Sequence, residues 1–180
     1  MGIPRHLLQR GVSTWFSHTH PRQVVGSLTG TSGITYDTGM GQRVVIDTNV
    51  FVSALRSSRG ASHQLLVLVG GQRFEIALSV PLVVEYEDAA KRMAEATGLD
   101  DADVEDIIDY LCSVASLHEI HFLWRPVLKD PRDDHVLELA VEAGCDAIVT
   151  HNVGDFDGCE SFGIEAIRPG ELLRRIGERP

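Results

Sequence analysis

From Arg43 onward, apolar residues alternate between short β-branched runs and longer stretches with a helical period. Arg43 to Ile46 reads as a strand ending at Asp47-Thr48-Asn49, and Val50, Phe51, Ala54 and Leu55 then follow with the spacing of a helix. A second helix is expected from a Ser62 cap through Leu65, Leu66, Leu68 and Val69, closed by Gly70 and Gly71, before a second strand over Phe74 to Leu78. Ser79 as cap and Pro81 in the first turn predict a third helix reaching about Ala96, with Gly98 as its stop. The fourth helix begins among Asp100, Asp101 and Asp103, where carboxylates favour the positive end of the dipole, and carries Ile107, Ile108, Leu111 and Val114. His118 to Leu123 is the expected third strand, and Asp130-Pro131 announces a helix through Val136, Leu137 and Ala140 that Gly144 ends. Ala147 to Thr150 and Ile164 to Ile167 complete the strands, and Pro169 to Ile176 is the closing helix.

Strands separated by helices imply a mostly parallel sheet, because parallel neighbours need a crossover and the crossover is usually helical. The expected fold class is therefore α/β, a three-layer α/β/α sandwich. In such sheets the functional crevice lies outside the carboxyl ends of the strands, so the residues just after each strand carry the chemistry.

The first 42 residues break this pattern. They hold Arg5, Arg10 and Arg22 against Asp37 alone, with Ser, Thr and Gly crowded from Gly26 to Gly41, and predict a disordered extension before a folded domain over 43–180. Gly26, Gly30 and Gly33 are not a phosphate loop, since no Lys follows. The whole chain of 180 residues carries a formal charge of −10, which repels nucleic acid at long range, so such a substrate must be held by a local site or by metal ions. Cys112, Cys145 and Cys159 are odd in number and too scattered for a disulfide framework, which predicts a reducing, cytoplasmic setting. No apolar run is long enough to span a membrane.

Four connections each deliver one carboxylate to the same end of the sheet: Asp47 after the first strand, Glu85 on the third helix, Asp133 after the third strand and Asp155 after the fourth. Each has an ordinary explanation, as a helix cap, a solvated helix face, a dipole-favoured acid or a turn residue. Their joint placement points elsewhere. Converging carboxylates raise one another's pKa values, and a hard divalent cation such as magnesium or manganese removes that penalty. Between neighbours, Asp133 shares a helix face with Leu137 and Ala140, which pack on the sheet, whereas Asp134 aligns with Glu138 and Val141. Asp133 is accordingly the expected ligand, with Asp134 supporting it or the helix dipole.

The ordered set Val44-Val45-Ile46-Asp47-Thr48-Asn49-Val50, Glu85, Asp130-Pro131-Arg132-Asp133-Asp134 and Ile148-Val149-Thr150-His151-Asn152 through Asp155-Phe156 resembles the PIN-domain family, and within it the VapC-like ribonuclease toxins of toxin-antitoxin pairs. The resemblance spans roughly residues 43 to 170. It implies that Asp47, Glu85, Asp133 and Asp155 hold Mg2+ or Mn2+, that Thr48, Asn49 and Thr150 position ligands, water or phosphate, and that the substrate is RNA. It also implies a homodimer and a cognate antitoxin protein. Some relatives carry Asp where this chain has Asn152, a loss that Asp155 is expected to offset.

Arg56, Arg59, Lys129 and Arg132 lie near the expected crevice, as phosphate contacts or as plain surface charges. His135 or His151 could assist proton transfer, while His118 and His121, placed on a strand, would face one into the core and one to solvent. No nucleophile elbow or dinucleotide fingerprint occurs, so acyl transfer and dinucleotide redox chemistry drop out, and a phosphoacceptor domain lacks its late-strand Lys. The alternative function is a catalytically silent PIN-like module that binds RNA or protein.

Overall fold

The computed structural model describes residues 41–121 and 127–180. The expected extension lies outside the described residues up to position 40, and the first strand begins at Gln42, one residue earlier than its β-branched run suggested. Five strands form one parallel sheet: β1 (Gln42–Ile46), β2 (Phe74–Leu78), β3 (Ser116–Leu117), β4 (Ala147–Val149) and β5 (Glu165–Ile167), in the order β3-β2-β1-β4-β5. Helices α1 (Thr48–Arg56), α2 (Ala61–Leu68), α3 (Val80–Arg92), α4 (Ala94–Thr97) and α5 (Asp101–Val114) connect the first three strands, α6 (Asp134–Glu142) leads into β4, and α7 (Pro169–Arg175) closes the chain. Two 3-10 turns, Val153–Phe156 and Cys159–Phe162, join β4 to β5.

β1 and β4 pair in the register Val44 with Ala147 and Ile46 with Val149. They are the central strands, and Val44, Val45, Ala147, Ile148 and Val149 are fully buried, as apolar runs covered on both faces must be. The chain travels from β1 outward to β2 and β3, then returns past β1 to β4 and β5. α6 packs on β1, β2 and β4, and the right-handed rule for parallel crossovers assigns it to the face opposite the contiguous layer of α1, α2, α3 and α5. The result is the expected α/β/α sandwich. The reversal between β1 and β4 opens a crevice above their carboxyl ends, where Asp47 and Thr150 leave the sheet.

Several local expectations need correction. Ser62 does not cap α2; Gly60 takes that place, and the Ser62 hydroxyl lies 2.9 Å from His151 Nε2. The third helix breaks at Met93, whose carbonyl accepts both the Thr97 amide and hydroxyl at 2.9 Å, and the short α4 ends at Gly98 with φ 72°. The third strand is confined to Ser116–Leu117 because β2, its only neighbour, leaves the sheet after Leu78. Residues 118–121 are not strand, and 122 and 123 lie outside the described residues. His118 is half-buried beside the Ser116 hydroxyl and His121 is exposed, so neither enters the core. Asp130 and Pro131 form a turn rather than a helix start: the Asp130 carboxylate accepts the Arg132 amide at 3.0 Å, and α6 begins only at Asp134. The fourth helix starts as expected, with Asp100 and Asp103 in a reciprocal capping box.

Tyr86 fixes α3 against the end of β1. Its ring stacks on Phe51 of α1 with centroids 4.4 Å apart, and its hydroxyl donates to the Ile46 carbonyl. Replacing Tyr86 with Phe keeps the stack and loses the hydrogen bond. Thermal unfolding should show a loss of about 1 kcal/mol, roughly 4 °C in Tm; an unchanged Tm would mean that the Ile46 carbonyl readily finds another donor.

Candidate active site

Asp47 follows β1 directly and caps α1, with its Oδ1 accepting the Asn49 amide at 3.4 Å. Its Oδ2 accepts the Thr150 hydroxyl at 2.6 Å and the Asn49 side-chain amide at 2.6 Å. Asn49 Nδ2 also donates to Thr150 Oγ1 at 3.0 Å, its Oδ1 accepts the His151 amide at 3.0 Å, and Thr150 Oγ1 accepts the Asn152 amide at 3.0 Å. Three side chains thus tie the ends of β1 and β4 into one rigid unit, with Thr150 fully buried and Asp47 8% exposed. Hydrogen bonds to an ionised carboxylate are the strong ones, and here they set its orientation.

Glu85 sits one residue before Tyr86, so the anchor that holds α3 also holds this carboxylate near Asp47. His135 Nε2 approaches Glu85 Oε2 at 3.0 Å, an ion pair by distance although not an aligned hydrogen bond, while its Nδ1 lies 2.7 Å from the Arg132 carbonyl. Contact with His135, more than any other factor, lowers the Glu85 carboxyl, and Glu85 in turn raises the imidazole. Thr48 Oγ1 is buried without an aligned partner, yet stands near enough to Glu85 to favour its ionised form.

Asp133 and Asp134 divide their work. Asp134 is buried and accepts the Leu128 amide at 2.9 Å and the Val127 amide at 3.2 Å, which fastens the preceding loop to α6. Asp133 occupies the cap position with helical backbone angles and makes no side-chain cap bond, so its carboxylate is left to the crevice. Asp155 is carried by the first 3-10 turn, where its amide donates to the Asn152 carbonyl at 3.0 Å.

All four acids line one cleft of about 470 Å3, together with Thr48, Asn49 and Asn152. Thr150 lies beneath, reaching the cleft through Asp47. Burial first, and then Glu85, raise the Asp47 carboxyl against the bonds from Thr150 and Asn49. Burial, followed by the charges of Asp47, Asp130, Asp155 and Glu85, pushes Asp133 up to about 6. Asp47 and Asp133 are thus disfavoured as anions, by burial first and by neighbouring carboxylates second, and an all-oxygen donor set of this kind fits magnesium or manganese. Among the described residues no three carboxylate, imidazole or thiolate groups stand close enough together to clasp an ion, so the acids share the cleft without closing on a point.

A family model described as the PIN domain matches residues 43–154, more than half of the chain. The chain belongs to the PIN-domain family. PIN domains are generally metal-dependent nucleases, and the parallel five-stranded sheet found here is consistent with that fold. No curated protein and no solved structure matches the chain significantly.

Four further lining residues of this PIN domain, Val52, Ala89, Arg92 and Met93, were not anticipated. Their signal was present: Glu85, Ala89 and Arg92 recur at i, i+4 and i+7 and so share one stripe of α3. Of the basic residues singled out, Arg132 alone lines the cleft, and its guanidinium pairs with Asp130 at 2.6 Å. Arg56, Arg59 and Lys129 are exposed outside it.

Asp133 has a pKa raised above its unfolded value, so protonation stabilises the fold below about pH 4, and this contribution is lost as pH rises through about 6. Asp133→Asn mimics the protonated state. In chelator the variant and wild type should melt alike near pH 4, whereas at pH 7.5 the variant should melt higher. Solvent screening around a half-exposed carboxylate keeps the gain to roughly 1 kcal/mol, about 4 °C. A variant that melts lower at pH 7.5 would show that Asp133 is not electrostatically strained.

Proposed function

We propose that this chain is a metal-dependent endoribonuclease and the toxin component of a toxin-antitoxin pair. The observation that supports the nuclease reading is the single cleft lined by Asp47, Glu85, Asp133 and Asp155, in a chain of the PIN family. In this reading the four carboxylates hold Mg2+ or Mn2+. The ion, when bound, polarises a phosphate oxygen and lowers the pKa of water. The toxin role, a cognate antitoxin and a homodimer rest on the resemblance to VapC-like proteins.

The chain's own residues prepare the site in three ways. Asp47 is presented in one orientation by Thr150 and Asn49, which limits the reorganisation needed on binding. Glu85 is held ionised by His135 at neutral pH, so its charge is available without a proton having to leave. Asp133 keeps a proton below about pH 6, and a cation must compete for it there. Phosphate recognition at such a site also answers the charge problem, because an acidic protein meets RNA through positive charge concentrated at one point.

The test incubates the purified chain with mixed RNA, with Mg2+ or Mn2+ and with excess chelator, beside Asp47→Asn. The Asn side chain keeps an oxygen for the Thr150 hydroxyl and the Asn49 side-chain amide and gives up only the 3.4 Å bond from the Asn49 backbone amide, so the variant should fold. Cleavage should require the added metal and fall at least about 100-fold in the variant. Equal cleavage by Asp47→Asn, or full activity in chelator, would remove the metal mechanism. Metal-independent RNA binding with no cleavage would favour the silent module instead.

A further inference from the structure

The cleft has two chemically different parts. One is the acidic end. The other runs along α3 from Glu85 past Ala89 to Arg92 and is walled by Val52 of α1 and by Met93, three apolar side chains with one cation at the far end. Arg92 lies seven residues beyond Glu85 on the same stripe, about 10 Å along the helix axis. Its charge reaches Glu85 weakly, as the least of the influences on that carboxyl. The two cations lining the cleft differ: Arg132 is neutralised by Asp130 at 2.6 Å, whereas Arg92 has no ion-pair partner among the described residues, even with Asp88 and Glu95 at i−4 and i+3.

An exposed guanidinium with no ion-pair partner among the described residues, set beside an apolar wall, matches the two needs of a nucleotide, a phosphate that wants a planar cationic fork and a base that wants a dry face. We infer that this arm of the cleft is a subsite for one nucleotide of single-stranded RNA flanking the cleaved bond, with Arg92 taking its phosphate and Val52, Ala89 and Met93 covering its base. The inference rests on the nuclease reading above and adds the direction in which the strand runs, along α3 toward its carboxyl end. Arg92 acts as a substrate-positioning residue: at that distance it does not touch the phosphorus under attack. A purely structural role at the carboxyl end of a helix dipole is the competing explanation, and it would move stability rather than salt-dependent RNA binding.

The experiment measures anisotropy of a labelled six-nucleotide single-stranded RNA with the full chain in Mn2+ as salt is raised, for wild type, Arg92→Gln and Arg92→Lys, with cleavage of the same RNA followed in parallel. Arg92→Gln should bind about tenfold more weakly, with the slope of log K against log salt reduced by about 0.7, and with an unchanged Tm. Arg92→Lys should recover most of the loss. Wild-type-like binding by Arg92→Gln, or no binding by wild type, would overturn the subsite. Arg92-dependent binding without cleavage would sustain the subsite and sink the nuclease reading, and cleavage with binding indifferent to Arg92 would do the reverse.

Discussion

Burial of carboxylates in one cleft at the carboxyl end of the sheet is the constraint on which the rest of this structure turns. Asp47, Glu85 and Asp133 line that cleft, and each is held by a different device. Asp47 is gripped by Thr150 and Asn49, Glu85 rides beside the Tyr86 anchor, and Asp133 sits at a helix start whose neighbour Asp134 clamps the preceding loop. The cost of burying these carboxylates is offset by the packed strands and helices beneath them. The pKa of Asp133, pushed up to about 6 by burial first and by the neighbouring carboxylates second, is where that cost shows.

The topology explains why the acids meet at all. Reversal of the chain's direction between β1 and β4 leaves a crevice above the sheet, and the residues following those two strands meet across it. Thr150 is the hinge of the arrangement. It is fully buried, belongs to neither strand nor helix, and bonds to Asp47, Asn49 and Asn152 at once.

Much of this was legible from sequence because two periodicities carry most of the information. Short apolar runs between turn residues marked β1, β2, β4 and β5, and the residue after a strand marked Asp47. Helical phase separated Asp133 from Asp134, but the structure distinguishes them for another reason: Asp133 holds the cap position outside the helix and lines the cleft, while Asp134, buried with Glu138, takes the Val127 and Leu128 amides. What escaped was set by tertiary context. The length of β3 depends on where β2 ends, which no local pattern near Ser116 encodes. Asp130-Pro131 has the composition of a helix start, but the carboxylate is taken by the Arg132 amide and guanidinium, so it makes a turn instead. His135 was visible only as a candidate acid-base group, since its pairing with Glu85 joins α6 to α3 across fifty residues of chain.

On the proposed function, the acids of the cleft act as one charged unit that a hard cation relieves. Calorimetric titration of Mn2+ into the chain at pH 7.5 and at pH 5 tests this most directly. Binding should be present at pH 7.5 and at least about tenfold weaker at pH 5, where Asp133 holds its proton and the cation must displace it. Absence of binding at pH 7.5, or an affinity indifferent to pH, would contradict the account.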